Sequence, residues 1–166
     1  MNVSYWKRGL WLLALVLVQV LVLNQIHIGG YATPFAYVYF MLVLNRDVKR
    51  NVLLLLGFFV GLVIDVFSNT PGMHAAATTL LAFVRPWLLT LFVPRDSVDD
   101  WEPGIRSMGF GSFLGYAAMA VFLHHAVLLL LDTFSFFSWT LLLLKVVCST
   151  ALTTFCVMMM ESVRRK

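Results

Sequence analysis

The sequence predicts an all-α integral membrane protein with six transmembrane helices. Of its 166 residues, 61% are hydrophobic and 12% are charged, and the mean hydropathy is +0.89. A soluble domain has about 25% charged residues, so half that share leaves too little polar surface to face water. The composition therefore excludes an ordinary soluble enzyme, a disordered chain and a nucleic-acid-binding domain. The net charge of +4 then indicates orientation in a membrane.

Polar residues divide the chain into six apolar runs. A helix needs about 20 residues to cross a hydrocarbon core of about 30 Å. The last three runs have that length, and the first attains it when the segment from Asn24 to Ile28 forms its polar end. The predicted helices of this single membrane domain cover residues 9–28, 31–44, 52–68, 72–93, 107–131 and 134–160.

Two of the runs leave alternatives open. The apolar part of the second run, from Thr33 to Leu44, would make about 18 Å of helix. It must gain a turn or lie where other helices shield it, and the alternative is five spans and one re-entrant segment. The first run also fits a signal peptide, because Lys7 and Arg8 precede an apolar stretch. We favour a retained first helix.

Basic residues predict the orientation. With six crossings, ten of the 12 Lys and Arg residues lie on one side, and the opposite loops at 29–32, 68–72 and 132–133 contain none. Lys and Arg concentrate on the cytoplasmic side of membranes, so both termini are predicted to be cytoplasmic. The ten residues are Lys7, Arg8, Arg46, Lys49, Arg50, Arg95, Arg106, Arg164, Arg165 and Lys166.

Small residues are expected to bring helices together, because lipid is as apolar as leucine and association depends on close packing. Gly57 and Gly61 form a GxxxG step in the third run, and Gly111 and Gly115 form another in the fifth. Gly72 begins the fourth run and is a further packing candidate. Either GxxxG step can face a helix of the same chain or a partner protein, and we favour the contact within the chain.

Asp65 is the first candidate for a functional role, since ionisable residues inside a membrane are costly and each needs a reason. It lies one turn beyond Gly61, at the outer end of the third run. One interpretation is a carboxylate that accepts N–H groups from the start of the fourth helix, near His74. The other is a site for a partner or a ligand. Thr70 is expected to cap the fourth helix.

Two cations, Arg85 and Lys145, are predicted to lie at similar depths near the middle of the membrane. Their separation in depth from Asp65 argues against a direct salt bridge. They either bond helix carbonyls and extend toward the membrane surface, or they bind an anionic headgroup or a partner's acid. Together they are candidates for a binding or partner-facing role.

The outer halves of the runs predict a polar hollow that opens outward. No HExxH, GxSxG, Walker A or dinucleotide-binding motif occurs in the sequence, so no catalytic residue, metal or cofactor is expected. The candidate residues of the hollow are Asn24, Gln25, His27, Asp65, His74, His124 and His125.

The stretch GLVIDVFSNTPGMHAAATTLL, at residues 61–81, resembles the MreD family of rod shape-determining proteins. The shared pattern is Gly-x-x-x-Asp at a helix end, a short turn, then a glycine and a helix of small residues. In this chain Gly61, Asp65, Gly72 and Ala75 carry that pattern. The length, the six predicted spans and the basic cytoplasmic ends are also similar to those of the family.

The resemblance implies a non-enzymatic scaffold of the bacterial cell-elongation machinery, which builds rod shape through peptidoglycan synthesis in the inner membrane. Its implied partners are membrane lipids and MreC, and through MreC the MreB filament, RodA and a class B penicillin-binding protein. The implied fold resembles the substrate-binding subunits of energy-coupling factor transporters.

The alternative is a transporter-like binding subunit for a small molecule or a lipid-linked precursor. That function predicts a closed pocket around Asp65, His74 and His124. The scaffold function instead predicts an apolar face that matches a partner's single helix.

Overall fold

The structure, a computed structural model, describes residues 5–26, 32–93, 101–133 and 138–164, with side chains from residue 9 onward. The described residues form α-helices and no β-strand, so the predicted all-α class is confirmed for them. The helices are α1 (Tyr5–Leu21), α2 (Val38–Val43), α3 (Arg50–Ser68), α4 (Met73–Phe92), α5 (Ile105–Met108), α6 (Phe110–Asp132) and α7 (Trp139–Arg164).

Four helices, α3, α4, α6 and α7, are long and apolar enough to cross a membrane, which is compatible with an integral membrane protein. Helix α1 is shorter and continues into a 3₁₀ turn at Leu23–Gln25. The most extensive contacts join α3 to α4, α4 to α6 and α6 to α7. Helices α4 and α6 therefore form the centre of the bundle.

Helix ends differ from the predicted bounds at several places. Helix α1 begins at Tyr5 instead of residue 9, and its α-helical part ends at Leu21, before the predicted end at residue 28. Helix α6 begins at Phe110 instead of residue 107, because Gly109 has a φ of 81° and separates α6 from the short helix α5. The last helix is described from Trp139 and continues to Arg164, past the predicted end at residue 160. Residues 134–137, where it was predicted to begin, lie outside the described residues.

The second apolar run is not the continuous helix predicted at residues 31–44. Helix α2 occupies Val38–Val43, and residues 32–37 are not helical. Pro34 accounts for part of this difference, because it lacks an N–H group and disfavours helical backbone at Thr33. Every residue from 34 to 44 is buried by the other helices. We call residues 32–44 the enclosed segment.

Side chains of α7 bind the first half of the enclosed segment. The Ser149 hydroxyl accepts the main-chain N–H of Thr33 at 3.2 Å, and the Thr153 hydroxyl accepts that of Phe35 at 3.0 Å. Non-helical backbone at membrane depth is tolerated where protein groups replace water as hydrogen-bond partners. These two hydroxyls therefore allow residues 32–35 to remain non-helical inside the bundle.

Two other helices bind carbonyl groups of the same segment. The Gln19 amide of α1 donates to the Pro34 carbonyl at 3.0 Å. Arg85 of α4 donates to the Leu44 carbonyl, beyond the end of α2. Side chains from α1, which precedes the enclosed segment, and from α4, which follows it, thus donate hydrogen bonds to its carbonyl groups.

The enclosed segment connects the two ends of the bundle. Thr33 lies at the end where α3 stops and α4 begins, where it lines a cavity together with Thr70. Past the segment, the main-chain N–H of Arg46 donates to the Trp101 carbonyl at 3.2 Å, at the opposite end. A helical residue advances only about 1.5 Å, so the non-helical backbone of residues 32–35 helps so short a segment to reach from one end of the bundle to the other.

Candidate functional site

The Asp65 carboxylate joins the end of α3 to the beginning of α4. Asp65 is 4% exposed, and its Oδ1 and Oδ2 accept the main-chain N–H groups of His74 and Ala75, each at 2.9 Å. The first amides of a helix have no partner within the helix, and they favour negative charge. The predicted interaction of Asp65 with the start of the fourth helix is confirmed. Thr70 donates to Oδ1 at 2.8 Å and so supports Asp65 instead of capping α4.

Two residues with positive φ turn the chain between α3 and α4. Asn69 has a φ of 53° and Gly72 a φ of 79°. Glycine adopts this region readily because it has no Cβ. A Cβ on Gly72 would meet nothing within 4 Å. Gly72 therefore serves the backbone of the turn, and not the helix packing that the sequence suggested.

The first GxxxG step brings α3 against α4. A Cβ on Gly61 would lie 2.5 Å from the Cα of Ala75, and a Cβ on Gly57 would lie 2.9 Å from the carbonyl oxygen of Thr78. Both obstacles are backbone atoms, so these glycines permit the close approach of the two helices. The favoured interpretation, a contact within the chain, is confirmed for this step.

The second GxxxG step does not act as a pair. A Cβ on Gly111 would meet nothing within 4 Å, so Gly111 packs against no other helix of the described residues, and a contact with a partner protein stays the alternative for this step. A Cβ on Gly115 would lie 2.6 Å from the ring of Phe92, which is a side chain and not a backbone. The sequence pattern is the same in α3 and α6, but the two helices present it to different surroundings.

The Tyr37 hydroxyl connects two histidines inside the bundle. Its oxygen lies 2.9 Å from Nδ1 of His74 and 2.8 Å from Nε2 of His124. His124 is fully buried, and its Nδ1 has no hydrogen-bond partner. Thr78 lies 3.4 Å from the same oxygen, but its own hydroxyl hydrogen goes to the His74 carbonyl at 2.7 Å. The cluster thus links the enclosed segment to α4 and α6.

The single hydroxyl proton of Tyr37 couples the tautomers of the two histidines. A tyrosine hydroxyl that contacts two neutral histidines donates to one and accepts an N–H from the other. When Tyr37 donates to Nδ1 of His74, Nε2 of His74 carries a hydrogen. When Tyr37 donates to His124, Nε2 of His74 is a bare acceptor. The hydrogen-bonding character of His74 therefore depends on His124.

His125 has a structural role next to this cluster. Its Nδ1–H donates to the Val121 carbonyl at 2.8 Å, so Nε2 is left as an acceptor for the Thr153 hydroxyl at 3.1 Å. Thr153 in turn accepts the N–H of Phe35. His125 therefore orients the hydroxyl that stabilises the extended backbone.

A polar cavity of about 460 Å³ lies at the end of the bundle where α3 stops and α4 begins. It corresponds to the predicted hollow, but Asp65, His124 and His125 do not line it, because all three are buried behind the lining. His27 lies outside the described residues. The polar residues that line it include Asn24, Gln25, Thr33, His74, Asp132 and Lys145.

Arg85 is buried without an acidic partner in the described part of the chain. It is 1% exposed and donates to the carbonyls of Leu42 and Leu44, where α2 ends. The last carbonyls of a helix lack partners within the helix, and they favour a nearby cation. The Tyr116 hydroxyl also donates to the Leu42 carbonyl, at 3.2 Å. Of the two interpretations of Arg85, bonding to carbonyls is confirmed.

Lys145 lies nearer to the bundle end than Arg85. Lys145 is six residues past Trp139, the described start of α7, or about 9 Å along the helix. Arg85 is 12 residues past Met73, the start of α4, or about 18 Å. The predicted equal depth assumed that the last helix begins at residue 134. The two cations therefore do not share a site.

Glu161 forms a buried cluster at the opposite end, which the sequence did not predict. It is 2% exposed, accepts the Tyr39 hydroxyl at 2.6 Å and the Ile105 N–H at 3.1 Å, and lies 3.2 Å from Nε of Arg164. The predicted last helix ends at residue 160, which places Glu161 outside it, whereas α7 continues to Arg164. The sequence does contain an indication of this ion pair. Glu161 and Arg164 are three residues apart, which makes their side chains neighbours on a helix.

The described residues contain no group of three or more His, Cys, Asp and Glu placed to bind a metal ion. Most of their buried polar side chains bond main-chain groups or each other, and the exceptions include the amide oxygen of Gln19 and Nδ1 of His124. No protein-family model, no curated protein and no solved structure matches the chain.

Proposed function

We propose that this chain is a non-enzymatic membrane scaffold of the bacterial cell-elongation machinery, related to the MreD family. The observation that carries the proposal is the junction of α3 and α4. Gly61, Asp65, Gly72 and Ala75, the residues of the family-like motif, all take part in this one junction. The resemblance therefore rests on residues that act together in space.

In this proposal the chain crosses the inner membrane six times. The four long helices account for four crossings, and α1 for a fifth. The enclosed segment supplies the sixth, because it runs from one end of the bundle to the other and every residue from 34 to 44 is buried. The ten basic residues on one side then support cytoplasmic termini and an outer end that contains Asp65 and the cavity.

The use of the interior polar groups supports a structural role. Asp65 bonds the start of α4, Arg85 bonds the end of α2, and Glu161 bonds Tyr39 and Ile105. Each of these charges holds two elements of the fold in a fixed relation. A rigid bundle of this kind suits a protein that positions partners, here MreC and, through it, the MreB filament, RodA and a class B penicillin-binding protein.

The proposal is tested by complementation and co-purification. A rod-shaped bacterium depleted of its own MreD should regain its normal width when it expresses this chain, and tagged MreC should retain the chain. Gly61→Leu should abolish both, because the leucine side chain would clash with the backbone of α4. Gly111→Leu is the matched control and should retain both. A chain that accumulates in the membrane but neither restores shape nor binds MreC would refute the scaffold.

The cavity of about 460 Å³ favours a second candidate, a membrane subunit that binds a small molecule or a lipid-linked precursor. Small-molecule sites have volumes of about 300–1,000 Å³. Of the three residues expected around a transporter-like pocket, His74 lines the cavity and Asp65 and His124 do not. Ligand binding by the purified chain, in the absence of MreC retention, would favour this second function.

A further inference from the structure

The cavity contains two opposite charges that do not neutralise each other. Lys145 of α7 and Asp132 of α6 both line it, and in the described part of the chain neither side chain makes a hydrogen bond or an ion pair. Lys145 is half-buried, whereas Asp132 is exposed at the rim. Lys145 therefore presents a positive charge to the cavity that no described carboxylate pairs with, and a negatively charged ligand group can pair with it.

His74 adds a hydrogen-bonding group that adapts to the ligand. It lines the cavity, its Nδ1 contacts Tyr37, and its Nε2 makes no hydrogen bond to a described residue. Through Tyr37, Nε2 is either a donor or an acceptor. A ligand group next to Nε2 selects one of the two tautomers of His74. The hydroxyl proton of Tyr37 then moves accordingly and sets the tautomer of His124.

We propose that the cavity binds a zwitterion, a molecule that carries one anionic group and one primary ammonium group. Lys145 pairs with the anionic group, Asp132 pairs with the ammonium group, and His74 bonds a polar atom between them. The same chemistry occurs in an ethanolamine phospholipid headgroup and in a free amino acid. Phe35 and Leu128, which also line the cavity, provide apolar contact for the uncharged part of either ligand.

This site goes beyond the scaffold function and does not depend on it. The binding assay uses the purified full-length chain in detergent, without MreC. A scaffold without a ligand site would retain MreC but bind no zwitterion. A chain with the ligand site but no scaffold function would bind the zwitterion but not MreC, so the two proposals can fail separately.

Native mass spectrometry with added lipids provides the test. We expect phosphatidylethanolamine to bind more tightly than phosphatidylglycerol, which lacks the ammonium group, and than phosphatidylcholine, whose ammonium cannot donate a hydrogen bond. Lys145→Gln should weaken the binding of phosphatidylethanolamine and of phosphatidylglycerol about fivefold, as loss of a partly exposed ion pair does. Asp132→Asn should remove the preference for phosphatidylethanolamine over phosphatidylglycerol.

Lys49→Gln and Asp47→Asn are the matched controls, because both residues are exposed at the opposite end of the bundle. Neither should change lipid binding. Glycine, tested on the same samples by calorimetry, separates the two sources of the ligand. Glycine binding that requires Lys145 and Asp132 assigns the site to free zwitterions, and lipid binding alone assigns it to the headgroup. If neither ligand depends on both residues, the proposal is wrong.

Discussion

The Asp65 carboxylate accepts the main-chain N–H of His74 at 2.9 Å, so the last turn of α3 directly binds the first turn of α4. The side chain of the same histidine contacts the Tyr37 hydroxyl. His74 thus takes part in three features. Its main-chain N–H belongs to the helix junction, and its side chain contacts Tyr37 and lines the cavity. A change at the junction is therefore expected to reach the cavity.

Removal of the Asp65 carboxylate should destabilise the junction. Asp65→Ala leaves two amides and the Thr70 hydroxyl without their acceptor, at about 1–3 kcal/mol for each buried group that stays unsatisfied. Asp65→Asn keeps one acceptor oxygen and should lose less. Thermal unfolding in detergent measures both variants. Asp132→Asn, at the exposed rim, is the control, and equal unfolding temperatures for wild type and Asp65→Ala would contradict the prediction.

The two GxxxG steps should respond differently to the same substitution. Gly61→Ala places a Cβ 2.5 Å from the Cα of Ala75, and overpacking of this kind costs about 1–3 kcal/mol. Gly111→Ala enters open space and should be neutral or stabilising by up to about 1 kcal/mol, because alanine favours helix. Unfolding temperatures of the two variants provide the comparison. A larger loss at Gly111 would show that α6 has a partner that this structure lacks.

Arg85 should stabilise the fold through the hydrogen bonds that its guanidinium N–H groups donate, more than through its charge. Arg85→Met keeps an unbranched apolar side chain but leaves the Leu44 carbonyl without its Arg85 donor, at about 1–3 kcal/mol, while the Leu42 carbonyl keeps the Tyr116 hydroxyl. Arg85→Lys retains donors and should recover part of this loss. Arg50, whose guanidinium lies 4.5 Å from the centre of the Phe83 ring, is the control, and Arg50→Met should cost about 0.5–1 kcal/mol. Equal losses for Met and Lys at position 85 would count against the carbonyl contacts.

Tyr37 and His124 should be energetically coupled. Tyr37→Phe removes the hydroxyl that both histidines contact, and we expect a loss of about 1–3 kcal/mol. His124→Phe should then cost less in the Tyr37→Phe background than in the wild type, because the hydrogen bond is already absent. Unfolding measurements on the four proteins of the cycle give the coupling energy. Additive losses would mean that the two residues do not interact.

Reporter fusions test the proposed six crossings. Fusions after Asn69 and Asp132 should report a periplasmic location, and fusions after Asp47 and Arg164 a cytoplasmic one, because the basic residues lie on the latter side. The fusion points after Asp47 and Asn69 lie on either side of α3, so a comparison of the two fusions tests whether α3 crosses the membrane. A cytoplasmic signal at Asn69 would exclude the six-span topology.

Local chemistry explains which features the sequence predicts. Asp65 lies a few residues before a helix start, and the unpaired amides of that start need an acceptor. The interaction of Asp65 with His74 and Ala75 can therefore be predicted from the sequence, because these partners are only nine and ten residues away. The polar hollow is also predictable, since helix ends that meet at one side of a bundle bring their polar residues together.

Long-range interactions explain what the sequence does not predict. Phe35 and Thr153 are 118 residues apart, and no periodicity in either run indicates their hydrogen bond. Tyr37 and Tyr39 count as hydrophobic residues in the composition, which conceals their hydroxyl groups. The depth of Lys145 depends on where its helix begins, and hydropathy alone assigned that start to residue 134.

The hydrogen bonds of the enclosed segment also constrain the order of assembly during synthesis. Thr33 and Phe35 are made early, but the hydroxyls that accept their N–H groups belong to Ser149 and Thr153, near the end of the chain. Unsatisfied amides are costly in hydrocarbon, at several kcal/mol each. We therefore expect the enclosed segment to reach its final hydrogen-bonded position only after α7 has been synthesised, so that the second apolar run packs later than its place in the sequence implies.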